Sequence, residues 1–114
     1  MGYMRHHAIV VTGPYDYSSD HLGEAHAKAE ELIPCLVSEI VRSRINGYGS
    51  FFIAPDGSKE GWDASDEGDS QRKAFIDWLR ESESWVSWAL VQYGDDDGES
   101  LVADHSDAEE SPDA

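Results

Sequence analysis

Asn46-Gly47-Tyr48-Gly49-Ser50-Phe51-Phe52-Ile53-Ala54-Pro55-Asp56-Gly57-Ser58 is the stretch on which the reading of this chain turns. Asn-Gly is a hairpin-turn dipeptide, because both residues tolerate a positive φ. At the other end Pro55 presets one turn dihedral and Gly57 supplies the positive one. Between the turns, Ser50-Phe51-Phe52-Ile53-Ala54 has the aromatic and β-branched content of a strand.

On the N-terminal side, Leu36, Val37, Ile40 and Val41 suit either a helical segment or a strand entering the hairpin. The β-branched content and the following Asn46-Gly47 favour the strand. Earlier still, Leu22, Ala25, Ala29, Leu32 and Ile33 recur at three- and four-residue spacing behind the capping candidates Ser18, Ser19 and Asp20. A helix is expected over residues 19–33, ended by Pro34, which lacks an amide hydrogen and disfavours helical geometry in the residue before it. His7-Ala8-Ile9-Val10-Val11-Thr12, closed by Gly13-Pro14, reads as the opening strand.

On the C-terminal side, residues 59–62 can extend the ribbon, and residues 63–69 read as an acidic loop. Ala74, Phe75, Trp78 and Leu79 then fall in helical register, with Arg72, Lys73, Asp77 and Arg80 outside it, giving an amphipathic helix of about four turns. Residues 85–93 alternate as a strand, with Val86, Trp88 and Leu90 on one face. Residues 100–103 are expected as an edge strand, and everything from Asp104 onward as a polar tail. The fold class that follows is α+β: one domain over residues 1–103, with two helices on one face of an antiparallel sheet. The order is ferredoxin-like (split βαβ) plus an edge hairpin, followed by a disordered acidic tail over residues 104–114.

The chain of 114 residues carries 24 Asp or Glu against 8 Lys or Arg, a formal net charge of -16. That balance repels phosphate backbones and acidic membranes and attracts basic surfaces, so direct nucleic-acid and membrane partners are not expected. Four Trp, five Tyr and three Phe, unusual in a disordered chain, argue that most of the sequence folds. Apolar runs are too short to span a bilayer, and no signal-like apolar segment is present near the start, so a cytoplasmic protein is expected. Cys35 is the single cysteine, which leaves no internal disulfide, and it reads as a small buried apolar residue.

Residues that could carry chemistry are sparse. Placing Asp63, Ser65, Glu67, Gly68 and Asp69 on a calcium loop puts Ala74 where a bidentate Glu is required. His21 and His26 are five apart on a helix, and neighbouring His6 and His7 point to opposite faces of a strand, so neither pair can readily share an ion. No cofactor or metal is expected. No phosphate-cradling loop or nucleophile elbow is present. His7 or His26 with a carboxylate could in principle form a small hydrolase site, and His7, Tyr48 and Trp62 could line a pocket for a small ligand or nucleotide; a non-enzymatic role is preferred to both.

The acidic residues gather in two sets, Asp56, Glu60, Asp63, Asp66, Glu67 and Asp69 around the loop before the second helix and Asp95, Asp96, Asp97, Glu99, Asp104, Asp107, Glu109, Glu110 and Asp113 at the C-terminal end; Asp63, Asp66, Glu67, Asp69, Asp95, Asp96 and Asp97 are the candidates for binding a partner. The plain reading is a solvated surface or a halophile-type adaptation, with Asp66, Glu67 and Asp69 placed favourably near a helix N-terminus. The sharper reading is a carboxylate surface that imitates a nucleic-acid backbone and occupies the basic groove of a nucleic-acid-binding protein. Trp62 and Tyr48, aromatics beside glycine turns, read first as part of a hairpin that packs its aromatics onto the core, and otherwise as candidate anchors for the same partner.

The opening Arg5-His6-His7-Ala8-Ile9-Val10-Val11-Thr12, the stretch from Asn46-Gly47-Tyr48 to Trp62, and the Gly94-Asp95-Asp96-Asp97 ending resemble a family of short acidic proteins encoded by tailed phages and prophages. The resemblance covers residues 4–105 and transfers no site residues. It implies a setting, the host-cell cytoplasm, in which small acidic proteins bind and disable host defence or nucleic-acid enzymes.

Overall fold

The computed structural model describes residues 5–16, 20–58, 61–82, 85–94 and 100–107. Its elements are β1 (His6–Pro14), α1 (His21–Leu32), β2 (Val41–Arg42), β3 (Tyr48–Ile53), α2 (Asp63–Glu81), β4 (Ser87–Tyr93) and β5 (Leu101–His105). The protein is α+β, a single domain with one open antiparallel sheet of five strands and two helices. Sheet order is β2-β3-β1-β4-β5. The expectation is a ferredoxin-like order plus an edge hairpin; the sheet observed is open and five-stranded, with β5 as a further strand at the β4 edge.

Register follows from which residues avoid water. Ile9 pairs with Ile53 and Leu90, and Val11 with Phe51 and Trp88, so these side chains share the inner face. They form one core with Leu22, Ala25, Ala29 and Ile33 from α1 and its end, and with Phe75, Ile76 and Leu79 from α2. Burying each large member contributes about 1.5–3 kcal/mol. Helix α1 packs against β1, β3 and α2. Gly49 makes that approach possible, since a Cβ there would press on Leu22 and Ile40.

Residues 36–42 form no helix. Val37 bridges Ile53, Ser38 exchanges hydrogen bonds with Phe52, and β2 pairs with β3 through Val41 and Arg42. Asn46 and Gly47 take the positive φ expected of the hairpin turn, at 69° and 63°.

Three sequence expectations need correction. Residues 63–69 are not a loop: they are the first two turns of α2, which is 19 residues long. The continuing signal was Ser65, Gly68 and Arg72, which carry the buried stripe of Phe75, Ile76 and Leu79 back toward the N-terminus in small or polar side chains. Asp104 and His105 do not begin the tail; they belong to β5, and Ser106 donates its amide to the Trp88 carbonyl. Cys35 is exposed rather than buried, with φ of 78°, because the chain reverses through Pro34-Cys35 at the surface immediately after α1.

Candidate docking face and adjoining groove

Helix α2 begins at Trp62, whose carbonyl accepts the amides of Ser65 and Asp66. Asp63 and Asp66 lie in the first turn, where the unsatisfied amides favour negative charge. Asp63, Asp66 and Glu67 stand at i, i+3 and i+4, so they share a face. That face is opposite the buried stripe, and all three are exposed. None forms an ion pair with another of the described residues. Asp77 and Glu81 continue the exposed stripe toward the C-terminus, with Asp77 paired to Lys73 at 2.9 Å. The sequence reading places Asp77 on the outer side of this helix but singles out neither it nor Glu81 for the acidic face.

Four of the nine residues singled out from sequence therefore meet on one surface: Trp62, which is half exposed, with Asp63, Asp66 and Glu67. Asp69 does not join them, because its carboxylate is turned onto the Arg72 guanidinium. Tyr48 is exposed but sits on β3 and alternates with buried Gly49 and Phe51, so it points to the other side of the sheet from α2. Asp95, Asp96 and Asp97 lie outside the described residues.

Beneath this face, Arg72 is the residue whose placement the sequence did not reveal. Read as solvent-facing, it is only 7% exposed. It donates to Asp56 at 3.2 Å and to Asp69, clamping the turn after β3 onto α2. Burial alone would raise the Asp56 pKa. The Ser58 hydroxyl and amide, at 2.6 Å and 2.8 Å, and the Arg72 hydrogen bond and charge outweigh it, and the carboxyl is held below its usual range. Gly68 is required beside them, since a Cβ there would overlap the Asp56 carboxylate.

A groove of about 380 Å³ runs along the flank of α2, with His7, Arg72, Ile76, Arg80, Leu90 and Gln92 among its lining. His7 Nε2 lies 3.2 Å from Gln92 Oε1. Arg80 forms a two-pronged pair with Asp104 at 3.0 Å and 2.7 Å and covers the Trp88 ring. The Arg80 hydrogen bonds are the main reason that the Asp104 pKa lies below the usual value. Tyr48 and Trp62 are not among the groove's lining residues, so the expected pocket of His7, Tyr48 and Trp62 does not form. His26 is engaged elsewhere: Nε2 hydrogen-bonds the Ser38 carbonyl at 2.8 Å, and the ring packs edge-on against Phe51. Among the described residues, no group of three or more His, Cys, Asp or Glu side chains is placed to hold a metal ion. No helix among them is long and apolar enough to cross a membrane.

Comparison with protein-family models, with curated proteins and with solved structures finds no match to this chain.

Proposed function

We propose that this protein is a non-enzymatic binding protein that docks the solvent face of α2 on a basic groove of a partner, in place of the nucleic acid that groove ordinarily holds. The observation that carries the reading is the row Asp63, Asp66 and Glu67, three carboxylates with no ion pair among the described residues, beside exposed Trp62 in a chain of net charge -16. Carboxylates already paired internally, such as Asp56, Asp69 and Asp104, offer little to a partner, whereas these three are presented outward at no cost in broken contacts. Trp62 adds a large apolar surface with few rotatable bonds at the edge of the charged row. The phage setting implied by the sequence resemblance, in which the partner is a host defence or nucleic-acid enzyme, is part of the proposal.

The test is capture from a bacterial lysate at low salt with the wild type and with Asp63→Asn/Asp66→Asn/Glu67→Gln. The captured protein should be released by duplex DNA and by raising salt from about 50 to about 200 mM, and the triple variant should retain it at least about tenfold more weakly. Retention that ignores both DNA and salt would remove the basis for mimicry.

The finer architecture belongs to the same reading. The crossovers β1–α1–β2 and β3–α2–β4 each pass over one strand, which is the split βαβ arrangement with both helices on one face and β5 added at the edge. Contact between α1 and α2, and their shared core with the inner face of the sheet, support it.

A second reading, a small-ligand or nucleotide-binding module, is favoured by the groove with His7, Gln92 and Arg80 over apolar Ile76 and Leu90. A thermal-shift screen with nucleotides tests it, and a null result across the panel would count against it.

A further inference from the structure

We infer that the groove along α2 is a binding site for an uncharged, planar heterocycle of the kind a nucleoside carries. This rests on the second reading above and narrows it, from small ligands and nucleotides in general to a ring that brings no charge of its own.

Strand register makes the hollow. His7 pairs with Gln92, and Ile9 pairs with Leu90. Ile9 belongs to the core under the helices, and residues two apart on a strand share a face, so His7, Leu90 and Gln92 lie on the helix side of the sheet. Helix α2 covers that side only in part. Its Ile76 and Leu79 are buried, whereas His7, Leu90 and Gln92 stay half-buried. Strand β5 adds Ala103 and Asp104 to the lining. The space of about 380 Å³ falls within the range of about 300–1,000 Å³ usual for small-molecule clefts.

The charges of the groove select the ligand. Arg72, Lys73 and Arg80, three of the chain's eight Lys and Arg, line it. Each is already matched: Arg72 by Asp69, Lys73 by Asp77 at 2.9 Å, and Arg80 by Asp104 at 3.0 Å and 2.7 Å. Those three carboxylates line the groove too, so the cations and anions cancel. A phosphate or carboxylate gains an arginine there only by displacing one of them, which is then left unpaired in a chain of charge -16. A cationic ligand must take a carboxylate from its guanidinium or ammonium in the same way. A neutral ligand leaves all three pairs intact.

Polar recognition falls to His7 and Gln92. With His7 Nε2 at 3.2 Å from Gln92 Oε1, the imidazole donates Nε2–H to the amide oxygen. The Gln92 amide nitrogen keeps two N–H donors, and His7 Nδ1 keeps an acceptor lone pair; neither atom has a partner among the described residues. A ring bearing a carbonyl oxygen and an N–H supplies one match for each. Ile76 and Leu90 offer apolar surface for the faces of such a ring, the combination of greasy walls and a few convergent polar groups that small-molecule sites use.

Titration of the full chain, isotope-labelled, with uridine and inosine up to about 10 mM, followed through its amide resonances, tests this against their monophosphates and triphosphates. The expected result is saturable shifts centred on Ile76, Leu90, Gln92 and Ala103, with the phosphorylated forms binding no more tightly than the nucleosides. Nucleoside affinity should change less than about twofold between about 50 and about 500 mM NaCl. Ala103→Trp, at an exposed position of the edge strand, should fill the groove and abolish the shifts while the melting transition is retained. Gln92→Leu should weaken binding about fivefold or more. The variant Asp63→Asn/Asp66→Asn/Glu67→Gln should bind nucleoside as the wild type does, which keeps this outcome apart from failure of the docking proposal. Affinity that climbs from nucleoside to triphosphate and falls with salt overturns the inference and leaves the second reading standing. Shifts centred elsewhere, or unchanged in Ala103→Trp, overturn it as well. Absence of saturable shifts with every nucleoside and nucleotide removes both the inference and the reading beneath it.

Discussion

Replacing Arg72 by Met tests the internal electrostatics of the site most directly. The guanidinium, 7% exposed, holds Asp56 at 3.2 Å and also Asp69. Breaking a fully buried pair by removing one partner costs about 3–5 kcal/mol. The cost here should be smaller, because Asp56 keeps its two hydrogen bonds from Ser58, and Asp69, exposed, is readily hydrated. What remains is one partly buried charge-assisted hydrogen bond and the loss of packing around the guanidinium, about 2 kcal/mol. For a domain of this length that lowers the melting temperature by about 6–10 °C. Urea unfolding at pH 7 measures it, in a cycle with Asp56→Asn and the double variant Asp56→Asn/Arg72→Met. The double variant should lose less than the sum of the singles by about 1 kcal/mol or more, because neither group is then left without the other. Additive losses, or an Arg72→Met variant within about 0.5 kcal/mol of wild type, would refute the view that this pair holds the turn after β3 on α2.

Three further outcomes follow from the same structure. Asp56 and Asp104 have folded pKa values below the unfolded one, so their contribution is complete above about pH 4 and is lost as pH falls through the folded values; Arg80→Met, which removes the main cause of the Asp104 shift, should be less stable than wild type at pH 5 by a margin that shrinks toward pH 2 in urea titrations, and a margin that grows would contradict the assignment. Gly68→Ala, although alanine is the better helix former by about 1 kcal/mol, should destabilise by about 1 kcal/mol or more because the new methyl displaces Asp56 from Arg72; a gain in thermal stability would show that the turn yields freely. Cys35→Gly should stabilise by about 0.5–1 kcal/mol in the same assay, since φ of 78° strains any L side chain, whereas Cys35→Val should cost at least as much.

How much was legible in the sequence depended on whether the signal was apolar. The strand of Phe51 and Ile53, the helix built on Leu22, Ala25 and Ala29, and the inward set Val86, Trp88 and Leu90 all followed from periodicity, since each buries a side chain that water disfavours. The first two turns of α2 were illegible for the opposite reason. Their inward residues are Ser65 and Gly68, followed by Arg72 in the next turn; none carries an apolar signal, and an acidic run beside glycine resembles a loop until a neighbour is known to lie against it. The candidate face was divided in the same way: Asp63, Asp66 and Glu67 were found by charge, while their exposure on one side of a helix, the withdrawal of Asp69 to Arg72 and the separation of Tyr48 were not.

By itself, then, the sequence determined the sign and size of the charge, the class of the fold, and most of the apolar residues that leave water, because these are properties of side chains and of local spacing. Only the tertiary structure decided which carboxylates are neutralised and which are presented, because an ion pair such as Arg72 with Asp56, or Arg80 with Asp104, joins segments that sheet pairing and helix packing bring together. The groove has the same origin: His7, Leu90 and Gln92 are ordinary strand residues until strand order and the packing of α2 set them beside Ile76 and Arg80.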